Sequence, residues 1–418
     1  MNNTLFLRID WITLGLYAAL VCIGFINIYS ATYDENAAFW NLTNPITKQL
    51  LFGITGLLVG ILLLYVNGKF FEQFAWYFYG LGILLLCGLF LLGKIVSGAQ
   101  SWYGIGGFSL QPSEFMKIAM ALLIARILSE FQTNLKSWRQ LIKFGVLIAI
   151  PMLLIVLQPD PGSALVFAAF TFVLFREGLN IRILYFILSV LGLFLGAILW
   201  DAPVMTSIVV LFLSGFYFLL KRLKFQPRLV IFLLIGLIAT GFVFTSNYIF
   251  NNLFEQRHRD RFNLVLGKTV DNQGIGYNTN QSKIAIGSGG FTGKGFLQGS
   301  QTKGNFVPEQ HTDYIFSTIG EEWGFLGSFV TLLLFGGLII RIIVQSEKQS
   351  NTFHRSFGYG VASLLFFHFF INVGMALGIV PTIGIPLPFI SYGGSSLMAF
   401  TFLIFIYLNF DANRLNSY

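Results

Sequence analysis

The sequence holds one long polar stretch, VDNQGIGYNTNQSKIAIGSGG, from Val270 to Gly290, in an otherwise apolar chain. The stretch carries a single carboxylate, Asp271, and lies in segment 251–312, which has seven lysines and arginines against four aspartates and glutamates. A carboxylate can take a proton from a hydroxyl group, and the amides of glycine-rich loops bind anions. The segment therefore suits an anionic ligand with a polar head group. A solvated loop that contacts lipid phosphates explains the composition equally well.

A second pair of ionisable residues, Glu114 and Lys117, begins an apolar run in LQPSEFMKIAM. Residues three apart on a helix share a face, so the two side chains can pair. Pro112 and Glu114 both suit a first helical turn, and a capped helix start with an internal ion pair explains them. Ionisable groups at membrane depth are costly, however, and usually mark a site or a cavity. Both interpretations stay open.

Acidic residues also stand beside two further apolar runs. In PEQHTDYIFSTIGEEWGFLG, Asp313 and Glu321 are eight residues apart, which places them on one face if a single helix contains both. The helix dipole explains an acid at a helix start, such as Asp313, but explains Glu321 poorly. The QPDPGS segment, 158–163, is either a tight turn or a break between short helices that line a cavity.

Composition defines the elements that must position these residues. Hydrophobic residues make up 55% of the chain and charged residues 11%, and the apolar residues form long uncharged runs. A membrane-spanning helix needs roughly 20 apolar residues. We therefore predict an all-α, polytopic membrane protein of about twelve transmembrane helices, with a large extracytoplasmic loop. The predicted spans are Trp11–Ser30, Gln49–Val66, Phe74–Leu92, Phe115–Leu128, Leu141–Leu157, Ala164–Phe175, Ile183–Trp200, Val204–Leu220, Leu229–Phe250, Tyr314–Val344, Phe357–Val380 and Ser396–Phe410.

The distribution of basic residues predicts an orientation. Most of the 26 lysines and arginines fall on one side if the N-terminus is cytoplasmic, and short cytoplasmic loops of membrane proteins carry such an excess. We expect both termini to be cytoplasmic and loop 251–312 to be extracytoplasmic. We interpret residues 1–418 as a single integral membrane domain.

Several classes of site are absent from the sequence. No HExxH, P-loop or nucleophile-elbow pattern occurs, and the two cysteines, Cys22 and Cys87, lie in apolar runs without metal-type spacing. We expect no nucleic-acid partner.

Five segments together resemble the SEDS family (shape, elongation, division and sporulation). They are QPSEFMK, QPDPGSA, DNQGIGYNTNQSKIAIGSGGFTGKGFLQGSQTK, FVPEQHTDYIFSTIGEEWGFLG and PLPFISYGGSS. The resemblance covers most of the chain, and QSKIAIGSGGFTGKGF is closer to the elongation branch, RodA, than to the division branch, FtsW. It implies an inverting glycosyltransferase that polymerises lipid II into peptidoglycan outside the bacterial cytoplasmic membrane, during cell elongation and shape maintenance.

The resemblance also implies roles for individual residues. Asp271 takes the position of the family's essential acid, before GxGY, and Glu114, Lys117 and Asp160 match groove residues. We expect further substrate contacts from Gln281, Ser282, Lys283, His311, Asp313 and Glu321. The implied partners are a class B penicillin-binding protein, which would supply crosslinking, and other membrane proteins of the elongation complex.

The chain departs from the family pattern in two ways that matter. Where the family often has Asp-Pro-x-x-Asp-Pro, residues 267–272 read GKTVDN, so only the second acid remains. The family typically has ten spans, and the twelve predicted here imply an added transmembrane hairpin within residues 183–250.

In the implied reaction, Asp271 removes a proton from the acceptor hydroxyl and cations such as Lys117 or Lys283 offset the charge of the departing pyrophosphate. A divalent cation such as Mg²⁺ could serve the same purpose, although no ligand cluster in the sequence demands one. The alternative is a flippase for the lipid-linked precursor, which would need polar groups through the whole membrane depth. His368 and Asn372 are the main candidates for such groups, and a helix–helix contact explains them equally well. A purely structural scaffold would not need Asp271.

Overall fold

The computed structural model describes residues 8–33, 44–96, 98–105, 108–130, 134–225, 228–252, 254, 256–266, 268, 275–304 and 306–414. The chain divides into two compact units. The first comprises Met1–Leu179 and Asn278–Tyr418, and the second comprises Asn180–Tyr277. Helices dominate both units, as the apolar runs predict.

The first unit contains most of the secondary structure. Its helices are α1 Trp11–Ala31, α2 Pro45–Tyr65, α3 Gly68–Gln73, α4 Ala75–Leu92, α5 Pro112–Ser129, α6 Trp138–Val156, α7 Pro161–Val166, α8 Phe170–Arg176, α14 Ser300–Lys303, α15 Ile315–Glu347, α16 Thr352–Ala376 and α17 Gly394–Ala412. A short 3-10 turn, Phe167–Ala169, separates α7 from α8. Helix α13, Ile275–Ser288, belongs to this unit from Asn278 onward.

The second unit is a smaller helical bundle. It contains α9 Ile181–Leu199, α10 Ala202–Arg222, α11 Leu229–Asn252 and α12 Gln256–Val265. Helix α11 packs on both α9 and α10, around a small core of Ala197, Ala202, Met205, Val209 and Val243. The hairpin that we predicted within 183–250 falls in this unit, where three long helices lie, and its status as an insertion remains a prediction.

The prediction of a polytopic helical membrane protein is confirmed. Within the described residues, ten helices are long and apolar enough to cross a membrane: α1, α2, α4, α6, α9, α10, α11, α15, α16 and α17. The other two of the twelve predicted spans differ from these. Helix α5 carries Glu114, Lys117 and Arg126 within its 18 residues, and Pro161–Arg176 is a shorter helix broken by the 3-10 turn.

A small antiparallel sheet lies between α4 and α5, and the sequence did not predict it. Strands β1 Lys94–Val96, β2 Ala99–Ile105 and β3 Phe108–Leu110 pair in that order. The backbone N–H of Gln100 donates to the carbonyl of Gln158 at 3.1 Å, which ties the sheet to the turn before α7. Two of the strands have only three residues, and the sequence of β2, AQSWYGI, does not alternate apolar and polar residues.

Helices α16 and α17 form the interior of the first unit. They are the most buried of the ten long helices, with 72% and 89% of their most apolar windows buried. Helix α5 packs against both, α15 packs on α16, and α2 packs on α17. Exposed leucine, isoleucine and phenylalanine side chains cover the peripheral helices, as a lipid-facing surface requires.

The first unit has two chemically different ends. At one end, here called the loop end, lie the described residues of 94–110, 157–160, 289–314 and 377–393, where Gln100 pairs with Gln158 and Tyr392 pairs with His311. At the other, the arginine end, four arginines each pair with a carboxylate. Arg341 donates to both oxygens of Asp10 at 2.8 and 2.9 Å, and this joins the start of α1 to the second half of α15. The remaining pairs are Arg126–Glu72, Arg355–Glu177 and Arg176–Glu347.

One buried amide stabilises the contact between α17 and α2. Asn409 is fully buried, and its Nδ2 donates to the carbonyls of Leu63, Leu64 and Val66 at 2.9, 2.9 and 2.7 Å. The last carbonyls of any helix lack partners within that helix. Asn409 therefore supplies the hydrogen bonds that the end of α2 lacks.

Replacing Asn409 by Ala removes the side-chain donor from these carbonyls, of which, within the described residues, only that of Leu63 keeps a backbone donor, the N–H of Val66, at a cost of about 1–3 kcal/mol. We expect the midpoint of thermal unfolding in detergent to fall by several degrees. Asn252→Ala is the matched control, because its amide is exposed and donates to the carbonyl of Tyr248 within its own helix. Equal midpoints for the two variants would contradict the role given to Asn409.

Candidate functional site

The first turn of α5 places an ion pair in the interior of the first unit. Glu114 and Lys117 are each 2% exposed, and Lys117 Nζ lies 2.8 Å from Glu114 Oε1. Pro112 occupies the first helical turn, and the backbone N–H of Gln111 donates to Ser395 Oγ at 3.1 Å, which anchors the helix start to α17. The first turn holds Pro112 and Glu114 as predicted and the ion pair is buried, although the N-cap residue, Gln111, makes no side-chain capping hydrogen bond.

Lys117 contacts two further groups. His368 on α16 places Nε2 3.0 Å from Lys117 Nζ, and the ammonium lies 5.0 Å from the ring centre of Phe400 on α17. The other nitrogen of the His368 ring lies 3.0 Å from the carbonyl oxygen of Pro386. The charged pair thus joins α5, α16, α17 and the loop that follows α16.

One atom of this group has no partner within the part of the chain that the structure describes. Oε2 of Glu114 is buried and makes no hydrogen bond to any of those residues. Buried polar atoms in folded proteins almost always have a protein or solvent partner. An orphan carboxylate oxygen beside an ammonium is therefore a suitable place for a hydroxyl group of a ligand.

Asp160 lies next to this ion pair, at the start of α7. Its Oδ1 accepts from the backbone N–H of Ser163 at 3.0 Å, and its Oδ2 accepts from Gln111 Nε2 at 3.2 Å. The first contact is a helix N-cap. The QPDPGS segment is therefore a capped turn, and the same turn carries an acid beside the buried pair. Asp160 is half-buried, and its charge acts electrostatically on Lys117.

The loop after α16 is held by the side chain of Asn372 on α16 and by its own Ser391. Asn372 Nδ2 donates to the carbonyls of Asp313 and Ile385, both at 2.8 Å, and Ser391 Oγ donates to the carbonyl of Thr312 at 2.6 Å. The sequence left Asn372 open as a helix–helix contact. The structure instead makes it the link between α16 and two loops.

His311 and Asp313 lie in the segment that this loop contacts. The carbonyl of His311 accepts from the N–H of Tyr392 at 2.8 Å, and their rings are 5.6 Å apart. Burial lowers the pKa of His311 below its usual value, although Glu309 opposes this. Asp313 precedes α15, which begins at Ile315, so the prediction that it shares a helix face with Glu321 is wrong.

Three of the predicted contact residues, Gln281, Ser282 and Lys283, lie on α13. Ser282 is fully buried and its hydroxyl donates to the carbonyl of Ala376 at 2.9 Å, so it fixes α13 against the end of α16. Gln281 is half-buried, and Lys283 is exposed and lies beside Gly378. Of the three, Lys283 has the exposed charge that a phosphate contact needs.

The structure gives Glu321 a role different from the predicted substrate contact. Its side chain is fully buried. Oε1 accepts from Lys294 Nζ and the N–H of Gln301, and Oε2 accepts from the N–H and hydroxyl of Thr302, all between 2.7 and 2.8 Å. Both oxygens hold the start of α14 and leave little capacity for a ligand. Its neighbour Glu322, which the sequence did not single out, accepts from Ser30 on α1.

The glycines of segment 287–295 serve a close backbone contact. Helix α15 breaks at Gly324, where φ is +62°. The backbone amides and carbonyls that lose their partners within the helix at this break pair with the glycine segment instead. The N–H groups of Lys294 and Gly295 donate to the backbone carbonyls of Glu321 and Glu322, both at 3.0 Å, and the N–H of Phe325 donates to the carbonyl of Gly290 at 2.9 Å. The amide groups of Lys294 and Gly295 are therefore engaged, and the anion-binding role suggested by the sequence does not apply to them.

Asp271 lies outside the described residues, so its predicted role as the base remains a prediction. Among the residues that the structure describes, no three histidines, cysteines, aspartates or glutamates lie together in a way that could hold a metal ion. The groups brought together at the loop end are Glu114, Lys117 and Asp160, with His311 and Asp313 in the adjoining loop. Sequence reasoning missed the direct contact of His368 with Lys117, because spacing along one helix does not show what faces it across the core.

Comparisons with known proteins agree with this architecture. The family profile described as "Cell cycle protein", for FtsW, RodA and SpoVE, matches residues 10–203 and 193–416. The peptidoglycan glycosyltransferase RodA of Treponema pallidum is 32% identical over 97% of this chain and 98% of its own length. The peptidoglycan glycosyltransferase MrdB of Escherichia coli K12 is 33% identical over 82% of this chain and 79% of its own.

Two solved structures share the fold. One comes from a study described as "Structural coordination of polymerization and crosslinking by a peptidoglycan synthase complex". It superposes with a TM-score of 0.72 at 27% identity, over 98% of this chain and 100% of that chain. The rod shape determining protein RodA of Thermus thermophilus superposes with a TM-score of 0.62 at 26% identity, over 98% of both chains. The family profile and the relatives each cover most of this sequence, and this chain therefore belongs to the FtsW, RodA and SpoVE family of cell cycle proteins.

Proposed function

We propose that this chain, a peptidoglycan glycosyltransferase of the RodA type, polymerises lipid II with inversion at the outer face of the bacterial cytoplasmic membrane during cell elongation. The observation that carries the proposal is the buried group at the loop end. There Glu114 and Lys117 pair at 2.8 Å in a helical interior, with Asp160 acting on the same ammonium. Ionisable residues are costly inside a membrane protein and usually mark a functional site or cavity.

The substrate chemistry matches these groups. Lipid II presents a pyrophosphate, a disaccharide and a lipid tail. Lys117 can pair with an anionic oxygen of the pyrophosphate, and the orphan Oε2 of Glu114 can accept a hydrogen bond from a sugar hydroxyl. The lipid tail stays in the bilayer beside the apolar outer surface of the helices.

The transfer step requires a base and a stabilised leaving group. The acceptor hydroxyl attacks the anomeric carbon of the donor sugar, and its proton passes to the carboxylate of Asp271. The bond between that carbon and the pyrophosphate oxygen breaks, and the pyrophosphate leaves with both electrons of the bond. Attack from the face opposite the leaving group inverts the anomeric configuration. Lys117 and the exposed Lys283 offset the negative charge of the departing group.

A divalent cation such as Mg²⁺ could offset the same charge. The described acidic residues of the site, Glu114 and Asp160, already have Lys117 and Gln111 as partners. The step above does not depend on such a cation, and a metal requirement stays a prediction.

We propose that the loop end faces outward and that both termini are cytoplasmic. Arginines 126, 176, 341 and 355 gather at the opposite end of the first unit, and a cytoplasmic excess of basic residues is the common pattern. This orientation places the buried pair beneath the face where a glycan strand would grow.

The partner proposed for this chain is a class B penicillin-binding protein within an elongation complex. The support is the fold shared with a chain described in a peptidoglycan synthase complex that couples polymerization and crosslinking. The sequence of this chain contains no transpeptidase motif, so crosslinking would have to come from the partner.

The orientation can be tested by labelling. Cys22 and Cys87 are first replaced by Ser. A single cysteine is then introduced in place of Lys303, at the loop end, or in place of Lys348, at the arginine end; both positions are exposed. A membrane-impermeant thiol reagent should label Lys303→Cys in intact cells and Lys348→Cys only after permeabilisation. The reverse pattern would overturn the orientation and the proposed site of polymerisation with it.

The buried pair gives a sharper test. Glu114→Gln or Lys117→Met leaves one uncompensated buried charge, at a cost of about 3–5 kcal/mol in stability, and the double variant removes both charges. We expect the double variant to unfold at a higher temperature than either single variant. All three should polymerise at least about 10²-fold more slowly, since the charges act on the substrate.

The matched control for this pair is Glu177→Gln with Arg355→Met at the arginine end. Its polymerisation rate should match that of the parent protein. If the Glu114 and Lys117 double variant regained full activity along with its stability, the pair would be structural only.

Asp271→Asn keeps the size and polarity of the side chain but removes its basicity. Loss of a general base costs roughly 10²–10⁴ in rate, so no polymer should be detected on a gel, while expression and partner binding stay normal. Asp260→Asn is the control, because Asp260 is an acid in the same loop whose Oδ1 accepts from Gln256 at 2.8 Å. Polymerisation by Asp271→Asn at the parent rate would remove Asp271 from the mechanism.

A further inference from the structure

His368 connects the buried ion pair to the loop after α16. Its ring is 1% exposed and lies edge-on to Phe400, with ring centres 4.9 Å apart. One ring nitrogen, Nε2, is 3.0 Å from Lys117 Nζ, and the other, Nδ1, is 3.0 Å from the carbonyl oxygen of Pro386. The ring is thus fixed by a polar contact at each nitrogen and by the edge-on contact with the ring of Phe400.

The two contacts together select one form of the ring. A lysine ammonium only donates hydrogen bonds, and a carbonyl oxygen only accepts them. Nε2 must therefore offer its lone pair to Lys117, and Nδ1 must carry the hydrogen that is donated to Pro386. The opposite tautomer would direct an Nε2 hydrogen at the ammonium and a lone pair at the carbonyl. A doubly protonated ring would bring two positive charges together in the protein interior.

This arrangement determines how Lys117 and Glu114 meet. Within the described residues, Glu114 contacts the ammonium through Oε1 alone, and Oε2 has no partner. A flexible lysine beside a carboxylate can move between the two oxygens, and an acceptor on the far side of the ammonium restrains it. Glu114 and His368 account for two of the three N–H groups of Lys117, and the third makes no hydrogen bond to the part of the chain that the structure describes, so it is available to an anionic ligand.

We propose that His368 is a positioning residue for glycosyl transfer. In its Nδ1–H form it holds the Lys117 ammonium away from Glu114 Oε2, so that the ammonium meets a pyrophosphate oxygen and the carboxylate oxygen meets a sugar hydroxyl. The hydrogen bond to Pro386 fixes the ring relative to the loop after α16, so this loop and the ion pair keep one geometry. The positioning role of His368 in glycosyl transfer rests on the proposed function. The Nδ1–H tautomer of His368 and its contact with Lys117 do not.

A kinetic comparison tests the positioning role. His368→Phe keeps the ring shape but removes both nitrogens, and His368→Gln offers an amide oxygen to Lys117 and an amide N–H to Pro386. A hydrogen bond to a charged group is worth about 1.5–3 kcal/mol, which corresponds to a loss of about 10- to 100-fold in kcat/KM for lipid II in the Phe variant. Most of the loss should appear in KM, because Lys117 holds the pyrophosphate before transfer as well as during it.

Three comparisons decide the outcome. His368→Gln should recover most of the lost kcat/KM, and adding His368→Phe to Lys117→Met should cause no further loss. His354→Phe is the matched control on the same helix, since its ring stacks on Phe410 at the arginine end with centres 4.5 Å apart, and it should leave the kinetics unchanged. A Phe variant with parent kinetics, a Gln variant as impaired as Phe, or additive losses in the Lys117→Met background would each overturn the proposal.

A second measurement is independent of activity. The chain has four histidines, so the nitrogen NMR signals of His368 can be assigned in histidine-labelled protein by comparison with His368→Gln. We expect the neutral Nδ1–H form in the parent protein and a shifted Nε2 signal in Lys117→Met. The Nε2–H form, or an Nε2 signal unaffected by Lys117→Met, would overturn the proposal even if polymerisation is confirmed. Absence of polymer with the expected NMR result would overturn the proposed function and the positioning role, but not the contact.

Discussion

The ion pair between Glu114 and Lys117 is the constraint on which the rest of the site depends. Two opposite charges inside a helical membrane protein must meet each other and be surrounded by polar groups, because desolvation costs several kcal/mol for each ion. The contacts at 2.8 Å to Glu114 and at 3.0 Å to His368 meet this need for Lys117. They draw α5 and α16 together at the loop end, where Asp160 and the loop after α16 also lie. Among the described residues Oε2 of Glu114 has no hydrogen-bond partner, so it can accept from a hydroxyl group of a ligand.

The polar contacts of the first unit divide by position. At the arginine end, the four arginines named above each pair with a carboxylate, and both oxygens of Asp10 are engaged by one guanidinium. Around the broken part of α15, backbone groups of the glycine segment replace the hydrogen bonds that Gly324 interrupts, and Glu321 holds α14 with both oxygens. These interactions are saturated and stabilise the fold. In the group around Lys117, Oε2 of Glu114 has no partner among the described residues, as suits a site that must accept a substrate.

The membrane helices and the candidate residues could be predicted from the sequence, but several contacts could not. Apolar runs of about 20 residues identify spans directly, and ten long apolar helices follow them. The short sheet at 94–110 gave no periodic signal, and the helix face expected for Asp313 and Glu321 failed because α15 begins after Asp313. Glu321 and Glu322 look alike in sequence, yet one holds α14 and the other meets Ser30 on α1, since partners distant in the chain determine their roles.

The proposed function requires that this chain join lipid II units itself. The most direct measurement uses the purified chain in liposomes with fluorescently labelled lipid II and follows both glycan strand formation on a gel and movement of the label across the bilayer. If the proposed function is right, strands that a muramidase digests should form with the parent chain and be absent with the Glu114 and Lys117 double variant. Transfer of the label across the bilayer without any strand would contradict it and would favour a flippase.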